Sequence, residues 1–312
     1  MKKKIVSAII ACYKDEKAIP IMYKRLVAVF KKINVNYEII FVNDGSPDRS
    51  EDVLKKIVKE DSHIVAIHHS RNFGSQMAFA SGMDSATGDA LVFLDGDLQD
   101  PPEMIEKFYE QWLKGYDVVY GIRTKREAPL FMQFMYKLFY RILKKMSYIS
   151  IPLDAGDFSL IDRKVVKVLK TFPERDYFLR GLRAWVGFKQ VGVPYIRPER
   201  QFGKTTNSLY ANFNWATKGI FSFSYVPLQI TTLVSLVVFC LTTIAIIYQI
   251  CLRIFFPDAT PKGITTILIV VLFIGSVQLL AIAILGEYIG KIFEEVKRRP
   301  RYVVKNITKK NK

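Results

Sequence analysis

The sequence predicts an α/β fold, a mostly parallel sheet with helices on both faces, followed by a pair of transmembrane helices. Apolar runs of strand length alternate with segments of helical spacing between residues 4 and 123. Such alternation implies crossover connections and a parallel sheet. The runs are continuously apolar, as strands covered on both faces are. Farther along, Pro227–Leu252 and Ile264–Gly286 carry no charged residue, and each exceeds the roughly 20 helical residues that cross a bilayer.

Taken in order, "KIVSAIIACY" is the first strand and "IPIMYKRLVAVFKK" the first helix. "YEIIFVNDGSPDRS" is a strand ending in Asn-Asp-Gly-Ser, and the helical "EDVLKKIVKE" follows it. "HIVAIHHS" is a strand, "NFGSQMAFASGMDSATG" a helix rich in small residues, and "DALVFLDGD" a strand again. A proline-opened helix, "PPEMIEKFYEQWLKG", and the strand "DVVYGIR" complete the series. Segment 128–146 places Phe131, Phe134, Met135, Leu138, Phe139, Ile142 and Met146 at helical spacing beside Lys137, Arg141, Lys144 and Lys145. That pattern fits a helix lying in a membrane interface, or one packed on the sheet as core. Segment 208–224 reads similarly.

The chain carries 46 Lys and Arg against 29 Asp and Glu, a net charge of +17 over 312 residues. The stretch after the second span, "GKIFEEVKRRPRYVVKNITKKNK", is dense in basic residues, whereas the inter-span loop holds only Arg253 and Lys262. The positive-inside rule then places both termini in the cytoplasm. This divides the chain into a cytoplasmic domain (1–225), two transmembrane helices (226–290) and a basic cytoplasmic tail (291–312). Because the basic residues gather beside the spans, anionic lipid is the expected partner and nucleic acid is not. The short apolar run after "MKKK" leads into acidic residues and is not read as a signal peptide. Cys12, Cys240 and Cys251 give no disulfide framework or zinc spacing. The adjacent His68 and His69 would point to opposite faces of a strand, so they are not expected to share a metal.

In open sheets of this kind ligands bind beyond the carboxyl ends of the strands. Those ends read "CYKDE", "NDGSPD", "HSRNFG" and "DGDLQD". No G-x-G-x-x-G or Walker loop is present, which excludes a dinucleotide or ATPase fingerprint. Asp95 and Asp97 lie two apart, on one face of an extended backbone. Such a pair suits a hard divalent cation that draws its other ligands from substrate phosphates; a solvated acidic turn is the alternative. Arg175, Arg180, Arg183, Arg197, Arg200 and Lys204 form a basic group whose planar arginine forks suit phosphate oxygens; a solvated basic face is the alternative.

Together "IIACYKDE", "FVNDGSPDRS", "SRNFGSQMAFASGMDSATGD" and "FLDGDLQDPPE" resemble the family 2 glycosyltransferases, whose fold is called GT-A. The resemblance continues through "LDAGDFSLIDRKVV", "ERDYFLRGLRAWVGFKQ" and "LLAIAILGEYIGKIFEEVKRRPRY", and is closer to members that act on polyprenyl phosphates. These include bactoprenol glucosyltransferases and dolichol-phosphate mannose synthase. Two stretches depart from the family pattern: Ala11–Glu16 at the first strand end, and Gly203-Lys204-Thr205-Thr206 before the spans.

The resemblance implies an inverting glycosyltransferase in a bacterial cell membrane. It would move one sugar, glucose or N-acetylglucosamine, from a UDP-sugar to undecaprenyl phosphate for cell-envelope glycan modification. Asp44, with Tyr13 and Arg71, would hold the uridine. Asp95 would lie near the ribose and sugar, Gln99 near the metal or donor sugar, and Asp97 with Asp95 would ligate Mg²⁺ or Mn²⁺. Asp157 would stand at the reacting centre, as a base or as a group that positions others. Arg183, Arg200 and Lys204 are the expected contacts to the acceptor phosphate. Related enzymes also imply a homo-oligomer. A processive polysaccharide synthase would carry Gln-x-x-Arg-Trp, for which "LRAW" lacks the glutamine. A non-catalytic membrane scaffold on a transferase fold is the second alternative.

Overall fold

The computed structural model describes residues 3–124, 152, 155–175, 177–199, 201–202, 224, 226–255 and 264–310. The amphipathic segment 128–146, residues 208–223, Arg200 and Lys204 lie outside these. The chain divides into two compact units: one holds the sheet and the residues from Arg299 onward, the other the two long apolar helices through Arg298.

Strands β1 (Ile5–Cys12), β2 (Asn36–Asn43), β3 (Ile64–His69) and β4 (Ala90–Asp95) form the predicted parallel core of the sheet. They are joined by helices α1 (Ile19–Lys32), α2 (Ser50–Glu60) and α3 (Ser75–Ser85). Helix α1 starts with proline in its first turn, buries Met22, Leu26 and Phe30, and ends in Lys31 and Lys32, where the macrodipole favours cations. Helix α3 is shorter than the small-residue run suggests. A Cβ on its Gly82 would come within 2.3 Å of the Ile9 side chain, so the small residues let this helix lie close against β1.

After α4 (Met104–Leu113) and β5 (Val118–Arg123), the described chain resumes with β6 (Ala155–Asp162), α5 (Arg163–Thr171), α6 (Leu179–Trp185) and β7 (Gln190–Tyr195). Strand β6 inserts antiparallel between β4 and β5, where its apolar run is broken by Asp157 and Ser159. A last strand, β8 (Val304–Lys309), pairs antiparallel with β3. The sheet therefore has eight strands in the order β7-β5-β6-β4-β1-β2-β3-β8. Residues 304–309, assigned by sequence to a basic tail, are thus an edge strand of the first unit. The sequence conceals it because β8 is largely exposed and carries the Lys-rich composition that protects sheet edges.

Helices α7 (Val226–Phe255) and α8 (Ile264–Val296) include spans long and apolar enough to cross a membrane, at Val226–Ala245 and Val270–Val296. Their large apolar side chains are exposed, with Phe239 at 67% and Leu279 at 70%. A core helix of a soluble protein would bury them. Within this unit the Tyr288 hydroxyl donates to the Ser224 carbonyl at 2.8 Å.

Candidate active site

The parallel registers bring β1, β2 and β4 to a common carboxyl edge: Ala11 lies beside Asp95, and Cys12 beside Asn43. Past Asp95 the chain turns through Asp97 and Leu98 to Asp100. Leu98 is buried yet has φ of 63°, a strained backbone for a branched side chain. The turn is fixed further by the Gln99 amide N–H donating to Asp97 Oδ1 at 3.1 Å. Buried Asp100 accepts from the Tyr195 hydroxyl at 2.7 Å. Burial, with Asp100, Asp97 and Asp157 nearby, pushes the Asp95 carboxyl up to about 8, against the opposing pull of Arg197. Arg197 stands 3.9 Å from Asp95 and 4.0 Å from Asp100. Gln99 donates weakly to the Pro198 carbonyl at 3.4 Å, tying the turn to the segment after β7.

Asp157, from β6, faces this cluster with a different set of partners. Arg180 of α6 reaches it through Nε at 3.2 Å and Nη2 at 3.0 Å. Gln76 of α3 donates to it at 3.0 Å and accepts from the Leu179 N–H at 2.8 Å. Burial alone would raise the Asp157 carboxyl; Arg180, with Arg183 and Arg123, outweighs burial and holds it below the usual carboxylate range. Asp95 and Asp157 therefore have opposite environments, one crowded by like charge and one neutralised by arginine.

Arg183 is fully buried, its guanidinium 4.9 Å over the Tyr120 ring and 3.4 Å from the Gly156 carbonyl. Burial lowers it to about 10. Asp157 opposes that lowering. Among the described residues Arg180 and Arg197 border the acidic cluster, and Arg123, which the sequence reading did not name, interacts with Asp95, Asp100 and Asp157. The sequence named Arg180 and Arg197 among the basic candidates without selecting either. Gln76 was missed altogether, because nothing in a helix of small residues marks one glutamine for a contact made 81 residues away.

Asp44 stands at the end of β2 with its carboxylate largely taken. Oδ1 accepts from the Phe73 N–H at 2.9 Å and from His69 Nδ1 at 2.8 Å, and Oδ2 accepts from the Gly74 N–H at 2.7 Å. A carboxylate has about four acceptor positions, which leaves one for a ligand. Arg71 is exposed in the same loop and lies 4.1 Å over the Phe73 ring. Tyr13 is part-buried at the end of β1, its N–H donating to Asp15 Oδ2 at 2.9 Å. Burial and the surrounding Asp15, Asp48, Asp95 and Asp97 push the neighbouring Cys12 thiol well up, away from the thiolate form that a nucleophile needs.

Gly45 fixes the approach of the β2 end to the Arg71 loop: its φ is +62°, and a Cβ would fall 2.3 Å from the Arg71 backbone carbon. Gly45→Ala is expected to cost about 1–2 kcal/mol from backbone conformation alone, with the overlap added. A thermal midpoint unchanged from the parent protein would refute this.

Among the described residues, no group of three His, Cys, Asp or Glu side chains is disposed to hold a metal ion. An open site differs from a closed cage. Asp95 and Asp97 offer hard oxygen donors, and the like-charge crowding at Asp95 is what a divalent cation would relieve.

The family described as "Glycosyl transferase family 2" matches residues 7–170. A Bacillus subtilis protein named "Uncharacterized glycosyltransferase YkcC" is 40% identical over 299 residues, covering 96% of this chain and 92% of its own length. The "Bactoprenol glucosyl transferase" of Shigella phage SfX is 37% identical over 303 residues, covering 96% and 99%. Among solved structures, glucosyl-3-phosphoglycerate synthase of M. tuberculosis has a TM-score of 0.47 at 17% identity, over 70% of this chain and 79% of that one.

Proposed function

Because this chain belongs to glycosyl transferase family 2, we propose that it transfers one sugar, glucose or N-acetylglucosamine, from a UDP-sugar to undecaprenyl phosphate with inversion. The observation that carries this reading is the pairing of two unlike carboxylate environments at one sheet edge. Asp95 and Asp97 form an acidic turn suited to a diphosphate-bound cation, and Asp157 is held below the usual carboxylate range by Arg180 with Arg183 and Arg123, and accepts from Gln76. The bactoprenol relative and the exposed apolar helices support a polyprenyl acceptor over a soluble one. The basic residues after the second span support a reaction on the cytoplasmic face of a bacterial membrane.

Asp44, Tyr13 and Arg71 form the uridine end of the donor site in this reading, and Gln99 lies toward the sugar. Asp97 with Asp95 would hold Mg²⁺ or Mn²⁺, which supplies neutralisation of the charge that develops on the departing diphosphate. The acceptor phosphate attacks from the face opposite the leaving group, so an α-linked donor gives a β-linked product. A phosphate monoester has a second pKa of about 6, so the acceptor is already largely ionised at neutral pH. Asp157, paired with Arg180, then orients groups at the reacting centre instead of removing a proton. Arg183, Arg200 and Lys204 are the acceptor-phosphate contacts in this reading, and Arg180 and Arg197, beside Asp157 and Asp95, add positive charge to the same site.

Turnover of the detergent-purified chain with undecaprenyl phosphate, a panel of UDP-sugars and Mg²⁺ or Mn²⁺ tests the proposal. One lipid-linked sugar is expected, lost on adding EDTA and restored by excess cation. Absence of product with every donor, from protein that still binds UDP, would favour the scaffold reading.

A further inference from the structure

The donor end of the sheet is tied to a part of the chain far away in sequence. His69 stacks on Tyr302, with ring centroids 5.3 Å apart and planes 13° from parallel. The same imidazole bonds Asp44, and an ionised carboxylate can only accept, so Nδ1 carries the proton. Tyr302 is held in turn by its hydroxyl, which donates to Asp84 at 2.7 Å. The neighbouring His68, on the other face of β3, makes a second link by hydrogen bonds alone. The Asn43 amide donates to its Nδ1 at 3.3 Å, which leaves Nε2–H to meet the Thr308 hydroxyl at 3.4 Å. Between these contacts the Ser70 N–H donates to the Val303 carbonyl at 3.0 Å. Each histidine thus joins the Asn43–Asp44 strand end to the segment that follows the second span.

We propose that this C-terminal strand is a working part of the donor site: Tyr302 and Thr308 are positioning residues that act through His69 and His68 on Asp44 and Asn43. A tail present only to meet anionic lipid would need its charges and no such contacts. Here an aromatic ring fixes the imidazole, the imidazole fixes a carboxylate, and that carboxylate fixes the Phe73 and Gly74 amides that shape the nucleotide loop. The inference rests on reading Asp44 as the uridine end of the site.

The test uses the full chain in detergent, with UDP alone as the binding probe and amide exchange of residues 70–74 as a readout independent of nucleotide. Tyr302→Ala is expected to weaken UDP binding and raise the donor KM about three- to tenfold, the range a lost ring stack permits. Its kcat at saturating donor stays within about twofold, and exchange at 70–74 quickens. Tyr302→Phe, which keeps the ring, recovers most of the affinity. A purely architectural role would instead lower the yield of folded enzyme and leave the donor KM alone. Thr308→Val, nearly isosteric, probes the His68 contact should Tyr302→Ala fail to fold, and is expected to weaken UDP about twofold. Unchanged UDP affinity and unchanged exchange in a folded variant overturn the inference. Failure of the parent protein to bind UDP would instead overturn the functional reading, and exchange at 70–74 would then decide the positional link by itself.

Discussion

Asp97→Asn is expected to lower transfer by at least about a hundredfold while leaving the sheet folded. The substitution keeps the shape and size of the side chain. It also preserves an oxygen that can accept the Gln99 N–H, the contact fixing the turn. What it removes is one negative charge from a site that would hold a divalent cation. In a scaffold, that loss would be neutral or mildly stabilising, because Asp95 is already strained by like charge from Asp97 and Asp100. The two readings therefore share the stability change and part on turnover. A transferase loses turnover and gains a little thermal stability without metal; a scaffold shows the stability gain and has no turnover to lose. Retained, EDTA-sensitive turnover in Asp97→Asn would place the cation elsewhere in the acidic cluster.

The legible part of this molecule is the part in which one strand after another is covered by its own crossover helix. For β1 through β4 the apolar runs are continuous, and local pattern and tertiary role agree. Strand β6 breaks that agreement: it must present Asp157 at the site and Ser159 within the sheet, so its sequence cannot be a plain apolar run. Strand β8 breaks it differently, as an exposed edge whose lysines read as a tail. The acidic turn was legible for the same reason as the core: it lies directly beyond a strand end and its spacing is local. Its partners are not local. Tyr195 meets Asp100 across 95 positions, and Arg180 meets Asp157 across 23. Basic side chains near a site can be counted from a sequence, but which of them is buried cannot.

Asp157 and Arg180 are expected to behave as one unit. Asp157→Asn leaves the Arg180 guanidinium without its carboxylate, and Arg180→Gln leaves a part-buried carboxylate near Asp95 without its nearest positive charge. Each change should reduce kcat/KM about a hundredfold, and the double variant should lose no more than the worse single one. A general base would give another pattern. Its removal would take most of kcat by itself, Arg180→Gln would add a separate loss, and the pH–rate profile would carry an acid limb from Asp157 that vanishes in Asp157→Asn. The arginine pair argues against that limb. With Arg180, Arg183 and Arg123 holding the carboxyl below its ordinary range, Asp157 is ionised throughout about pH 5–8, and protonation cannot switch it in that window. An acid limb there belongs to the acceptor phosphate, whose own second ionisation falls at about 6, or to Asp95, which burial and its acidic neighbours push up to about 8, and it should persist in Asp157→Asn. Additive losses in the double variant, or disappearance of the limb, would return the proton to Asp157.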